Sequence, residues 1–200
     1  MTEYQATRAT ALALGEEQKL IRQGYDFLDE KRMLLAGEIM RQLEQWKGLR
    51  EDYAEAMIKA RETLGAAIAE HGLEDLQVAR APVSEDNPPS IERYDFLGVR
   101  LVRVPPRAEV RKALAVHGDS IARCAATFRV LIELARRMAA ASGNLLRLAD
   151  EYARTERRAS ALENVLLPEI ANALKTIDEQ LEEVDQEEAV RVRLAGRKAG

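Results

Sequence analysis

The side chains able to do chemistry are few in this chain. His71 and His117 are its two histidines and Cys124 its one cysteine, in 200 residues. A zinc site takes about four Cys, His or carboxylate donors. Both histidines border a proline-rich middle segment, where they read as helix-end or turn residues. Joint metal binding is the weaker reading. Cys124 has no histidine near it on a plausible helical face, so it reads as a small buried apolar residue rather than a nucleophile. The acid pairs Glu182-Glu183 and Glu187-Glu188 suit a solvated helix face. No phosphate loop of the GxxxxGK[ST] type occurs, no GxGxxG follows a strand, and HExxH and GxSxG are absent. The expectation is a non-catalytic chain with no metal and no cofactor.

Two basic clusters stand out instead. Arg100, Arg103, Arg107, Arg111 and Lys112 crowd one stretch, with only Glu109 opposing them. They either solvate an exposed edge strand or form a docking face for an acidic partner. The second cluster is the tail, where Arg191, Arg193, Arg197 and Lys198 follow the last acid, Glu188. Cations favour a helix C-terminus in any case. The functional alternative is a tip that enters a partner's cavity.

Composition bounds what can position these groups. With 30 basic and 34 acidic residues the net charge is -4, which speaks against bulk nucleic-acid binding. Hydrophobic residues make up 46% but aromatics only 4%, the balance of long helices rather than of a thick core. One cysteine excludes an internal disulfide framework. No apolar run approaches the roughly 18 residues of a membrane span. The first residues carry no secretory signal, so a cytoplasmic setting is expected.

Apolar positions recur in sevens along a proline-free stretch from about Thr7 to His71. Leu14, Ile21, Leu28 and Leu35 form one row; Ile39, Trp46, Tyr53 and Ala60 form another. This spacing places them on one helical stripe. A third part, residues 107–200, repeats the pattern through Met138, Leu145, Tyr152, Ala159, Leu162, Leu166, Ile170 and Ile177. Pro168 should bend that helix locally without ending it. Between the helices, residues 72–106 hold five of the six prolines. There Gly72 should cap the first helix. Residues 76–79 and the β-branched run from Val99 to Val104 read as two short strands joined by a loop over 84–90. A lone helix over residues 8–71 would be a rod of about 96 Å. The economical solution is an all-α fold: a long antiparallel two-stranded coiled coil of segments 1–71 and 107–200, with a small β-hairpin insert at 72–106. Equal rise on both arms makes positions whose numbers total about 180–190 face each other, and leaves residues beyond roughly 183 projecting past the N-terminus.

The residues also carry a resemblance. Arg157-Arg158-Ala159-Ser160-Ala161-Leu162-Glu163-Asn164-Val165-Leu166-Leu167-Pro168 resembles the RRxNALExVxIP signature of the D subunit of V-type and A-type rotary ATPases. Thr7-Arg8, Gly24, Leu28, Lys31-Arg32 and Leu35 resemble that family's N-terminal pattern, and Gly98-Val99 to Val104-Pro105 its central segment. The resemblance implies a central rotor stalk without a nucleotide site of its own. It implies as partners the catalytic A and B subunits, the small F subunit of the stalk and a socket subunit on the membrane ring, with no insertion into the membrane. It directs attention to Thr7, Arg8, Arg191, Arg193 and Arg197 at the hexamer end, and to Arg100, Arg103 and Arg107 at the hairpin end. A generic coiled-coil scaffold is the alternative; it explains the sevenfold rows but not the block at 157–168.

Overall fold

The computed structural model describes residues 5–78, 91–105 and 119–198. The expected loop at 84–90, and with it Ala79, Arg107, Arg111, Lys112 and His117, lies outside these residues. Within them five regular elements follow in order: α1 (Arg8–Val78), β1 (Glu92–Phe96), β2 (Val99–Arg103), α2 (Asp119–Ala161) and α3 (Leu167–Lys198). A π-helical turn, Leu162–Leu166, joins the last two. The fold is a helical coiled coil carrying a small β-hairpin. The chain divides into two compact units, Met1–Leu34 with Tyr152–Gly200, and Leu35–Glu151.

In the first unit α1 and α3 run antiparallel. Thr7 starts α1: its Oγ1 accepts a hydrogen bond from the Thr10 backbone N–H at 3.1 Å, the usual job of an N-cap hydroxyl. Leu14, Ile170 and Ile177 are buried at the seam, with Ala11, Ile21, Ala173, Leu174 and Leu181 packed around them. Arg8 pairs with Asp185 at 3.1 Å and Arg32 with Glu156 at 2.7 Å, two rungs that show the opposed chain directions. Leu28 and Leu162 are half-buried. Leu166 departs from the expected seam: it is 38% exposed. The cause lies two residues on. Pro168 has no N–H to donate, and in an α-helix its ring would crowd the carbonyl four residues back. The helix widens by one turn ahead of it, and the Leu167 N–H bonds to the Leu162 carbonyl, five residues back. That turn carries Leu166 off the stripe. Gly24 lies opposite, where a Cβ would come within 3.7 Å of a Leu162 methyl.

In the second unit the hairpin lies on α1 and α2. Leu35, Ala60, Ala67 and Leu148 are fully buried. Three polar rungs link the helices: Trp46 Nε1 donates to Ser142 Oγ at 2.8 Å, Thr63 and Thr127 share a hydroxyl bond of 2.8 Å, and His71 Nε2 lies 2.9 Å from Ser120 Oγ. His71 is thus tied at a helix end. Cys124 is buried and free.

The first helix breaks at Gly72, with φ 80° and ψ 163°, a backbone state that glycine alone adopts at little cost. Beyond the break the chain becomes helical again through Val78, so the strand expected to begin at Leu76 does not form. Leu73, Glu74, Leu76 and Gln77 are good helix formers, and their local preference wins. The true partner of β2 is β1, paired antiparallel from Glu92↔Arg103 to Phe96↔Val99. The connecting residues Leu97 and Gly98 have φ 52° and 85°. Positive φ at both positions is the mark of a two-residue hairpin turn whose twist matches the strands. Asp95 Oδ1 accepts from the Gly98 N–H at 2.8 Å and braces the turn.

Candidate functional site

An isolated two-stranded hairpin is marginal in water. Here β2 is fixed from its outer edge. Asn144 of α2, only 3% exposed, accepts from the Val102 N–H at 2.8 Å and donates to the Val102 carbonyl at 2.7 Å. One side-chain amide thus takes the place of a third strand. Val99 and Leu101 are buried beneath, and Leu101 is completely so. On β1, Tyr94 accepts from buried Gln42 at 3.2 Å, and Gln42 in turn donates to Glu38 at 2.8 Å.

On this platform sit two of the basic residues singled out from the sequence. Arg100 is exposed. Arg103 is exposed and lies over the Tyr94 ring, 5.3 Å from its centroid, in cation–π contact. Sequence spacing does not reveal what lies beside them. A groove of about 620 Å³ opens between the hairpin, α1 and α2. Its small and aliphatic lining residues are Gly48, Leu49, Val102, Val104, Ala140 and Ala141; its charged ones are Arg41, Arg103, Arg137 and Asp52. Arg41 is engaged by Glu38, and its bonds hold the Glu38 carboxyl below the ordinary carboxylate value; burial opposes that shift and Gln42 assists it. Among the described residues, neither Arg103 nor Arg137 has a carboxylate partner. Arg41 and Arg137 lie far from the hairpin in sequence, and only the fold brings them to Arg103.

The second candidate surface is the free end of α3. After half-buried Leu181, every described residue to Leu194 is exposed. Arg8–Asp185 is the last ion pair to α1 among the described residues. Beyond it Arg191 pairs with Glu187 of its own helix, at 3.2 Å, and Arg193 is exposed. Val184, Val190, Val192 and Leu194 are more than half exposed, an apolar set on a helix that α1 no longer covers. Thr7 and Arg8 are therefore engaged in starting and pairing the first helix, while the tail arginines stand clear of it. The side chain of Arg197 lies outside the described residues.

Within the first unit, the π turn adjoins a polar cluster. Arg32 reaches both Asp29 and Glu156, which raise its pKa above the ordinary guanidinium value, Glu156 most. Tyr25 faces Glu163 of the turn; partial burial, then that carboxylate, pushes its phenol up. Among the described residues no group of three or more His, Cys, Asp and Glu could hold a metal, and no helix is long and apolar enough to cross a membrane.

The family model described as the ATP synthase D subunit matches residues 10–197. The chain belongs to that family. The V-type ATP synthase D subunit of Thermotoga neapolitana is 29% identical over 190 residues, covering 94% of each chain. The A-type ATP synthase D subunit of Pyrococcus horikoshii is 28% identical over 196 residues, covering 94% of this chain and 90% of the relative. The corresponding A-type protein of Methanosphaera stadtmanae is 30% identical over 196 residues, covering 90% and 87%. As a D subunit, the chain is part of an ATP synthase complex. The π turn falls inside the block at 157–168 that carries the resemblance, and Gly24 of the N-terminal pattern packs against that turn.

Proposed function

We propose that this chain is the central-stalk rotor of a V/A-type ATP synthase or ATPase, passing torque between the catalytic A/B hexamer and the membrane ring. It does so without catalysing or binding nucleotide itself. The observation that carries the reading is the family match along nearly the whole chain, on a fold whose helices pair antiparallel. The free end of α3 serves the hexamer, and the hairpin platform serves the small F subunit and the socket subunit. The chain then sits on the cytoplasmic side, peripheral to the membrane.

The mechanism follows from differential contact. An asymmetric shaft meets each of the three A/B interfaces differently, so every shaft angle favours its own set of open and closed sites. Coupling is reciprocal: closure of a site on nucleotide biases the angle by the same free energy. The side-by-side helices and their cross-helix rungs resist twisting better than one helix does.

Tagging the chain in its native host and weighing the purified complex by native mass spectrometry tests the reading. One copy of this chain with a hexamer of two large subunits is the expected mass, since an axial asymmetric shaft cannot share the ring's symmetry. A chain recovered alone or as a self-associated scaffold refutes it.

A further inference from the structure

We infer that the groove beneath the hairpin is the seat of an acidic, amphipathic segment of a protein partner. The inference rests on the stalk reading and deepens it by stating the chemistry of the segment. The groove has the two ingredients that such a segment needs. Its lining is small: Gly48, Ala140 and Ala141 leave room for one bulky apolar side chain against Leu49. A Cβ placed on Gly48 would meet nothing within 4 Å, so the space beside α1 is open. Its charge is unspent. Arg41 is neutralised by Glu38, but among the described residues Arg103 and Arg137 face the groove without a carboxylate, against the single lining acid Asp52. Arg103 is also held in place by stacking on Tyr94, so a carboxylate meets a guanidinium already ordered. Arginine forks bind carboxylates in a bidentate, directional way, and arginine and large aromatic side chains are enriched among the residues that carry most binding energy.

The partners excluded are as informative. A basic or nucleic-acid-like surface gains nothing from the apolar lining, and a free inorganic anion leaves that lining exposed to water. An acidic segment lacking a bulky apolar residue leaves the space at Gly48 empty.

The test uses the assembled complex. A photo-crosslinking residue replaces Ala141, and the captured peptide is identified by mass spectrometry in the complex purified through this chain. The expected capture is one segment with at least two acids flanking a large apolar residue. Arg103→Glu with Arg137→Glu should weaken retention of that partner at least tenfold in 0.15 M salt, and an acid-to-arginine change in the captured segment should restore it. Gly48→Leu, which strengthens the helix while filling the groove, should weaken retention without unfolding the chain. Capture of a basic or uncharged segment, capture of none, or full retention by the charge-reversed chain overturns the inference. In those outcomes a hexamer still bound to this chain leaves the rotor reading standing; a wild-type chain recovered with no hexamer removes the rotor reading instead.

Discussion

Asn144→Ala is the sharpest single test of how the hairpin is held. The side chain makes two hydrogen bonds to one residue, Val102, at 2.8 and 2.7 Å. Each such bond contributes a net 0.5–1.5 kcal/mol, so the pair contributes about 1–3 kcal/mol. Orphaned groups in a dry interior would cost more. Here Asn144 and Val102 both line the groove, so water reaches the vacated positions and holds the loss to that range. The loss belongs to the hairpin rather than to the helices, because Leu101 remains buried and the helix rungs are untouched. Amide hydrogen exchange reads it directly. Protection at the Val102 N–H should fall roughly tenfold to a hundredfold, since about 1.4 kcal/mol is one decade. Protection within α1 near Thr63 should stay unchanged. Unchanged exchange at Val102 would mean that the amide does not carry the strand. Equal loss across the second unit would mean that Asn144 supports the helices rather than the sheet edge.

Ile177→Ala, at 2% exposure, should cost about 2–5 kcal/mol in denaturant melts of the helical signal, while Leu166→Ala, at 38%, should cost well under half of that. Pro168→Ala removes the crowding of the ring but should leave the Leu162–Leu166 turn in place, because α bonding there would rotate Ile170 and Ile177 off the seam; the melting temperature should rise, with a gain below the roughly 3 kcal/mol of a helix-interior proline, and a lower melting temperature would refute the strain assigned to the proline. Glu38 has a folded pKa below its unfolded value of 4.5, so its contribution is complete above that pH and is lost as pH falls through the folded value. Glu38→Gln should therefore flatten the acid side of the stability curve of the second unit, measured by exchange within α1 between pH 6 and 3, and an unaltered curve would count against the Arg41 pairing.

Much of the helical architecture is readable in the spacing of apolar residues, because a seam between two helices needs little more than a row at the right period. Leu14, Leu35, Ile170 and Ile177 are buried for that reason. The break at Gly72 is readable from glycine's backbone freedom. β1 is not, since Glu92, Arg93 and Asp95 make it too polar for a rule that looks for β-branched runs; its true signal is the two-residue turn ending in Gly98. The stretch after Gly72 passes for a strand only while the proline density nearby is given more weight than its own helix preference. The proline at 168 is visible, but its remedy is not: whether a helix kinks or widens depends on hydrogen bonds that no periodicity records. The groove is hidden from the sequence because Arg41, Arg103 and Arg137 come from three elements.

The widened turn at Leu162–Leu166 also acts as an index mark for everything after it. Each residue advances an α-helix by about 100°. Taking up α bonding there with no residue lost would therefore swing Ile170 and Ile177 about a quarter-turn out of contact with α1, and carry the valines and arginines of the free end to a different compass bearing. The direction in which that end presents itself is thus dialled in some twenty residues upstream, by the bonding pattern of a single turn.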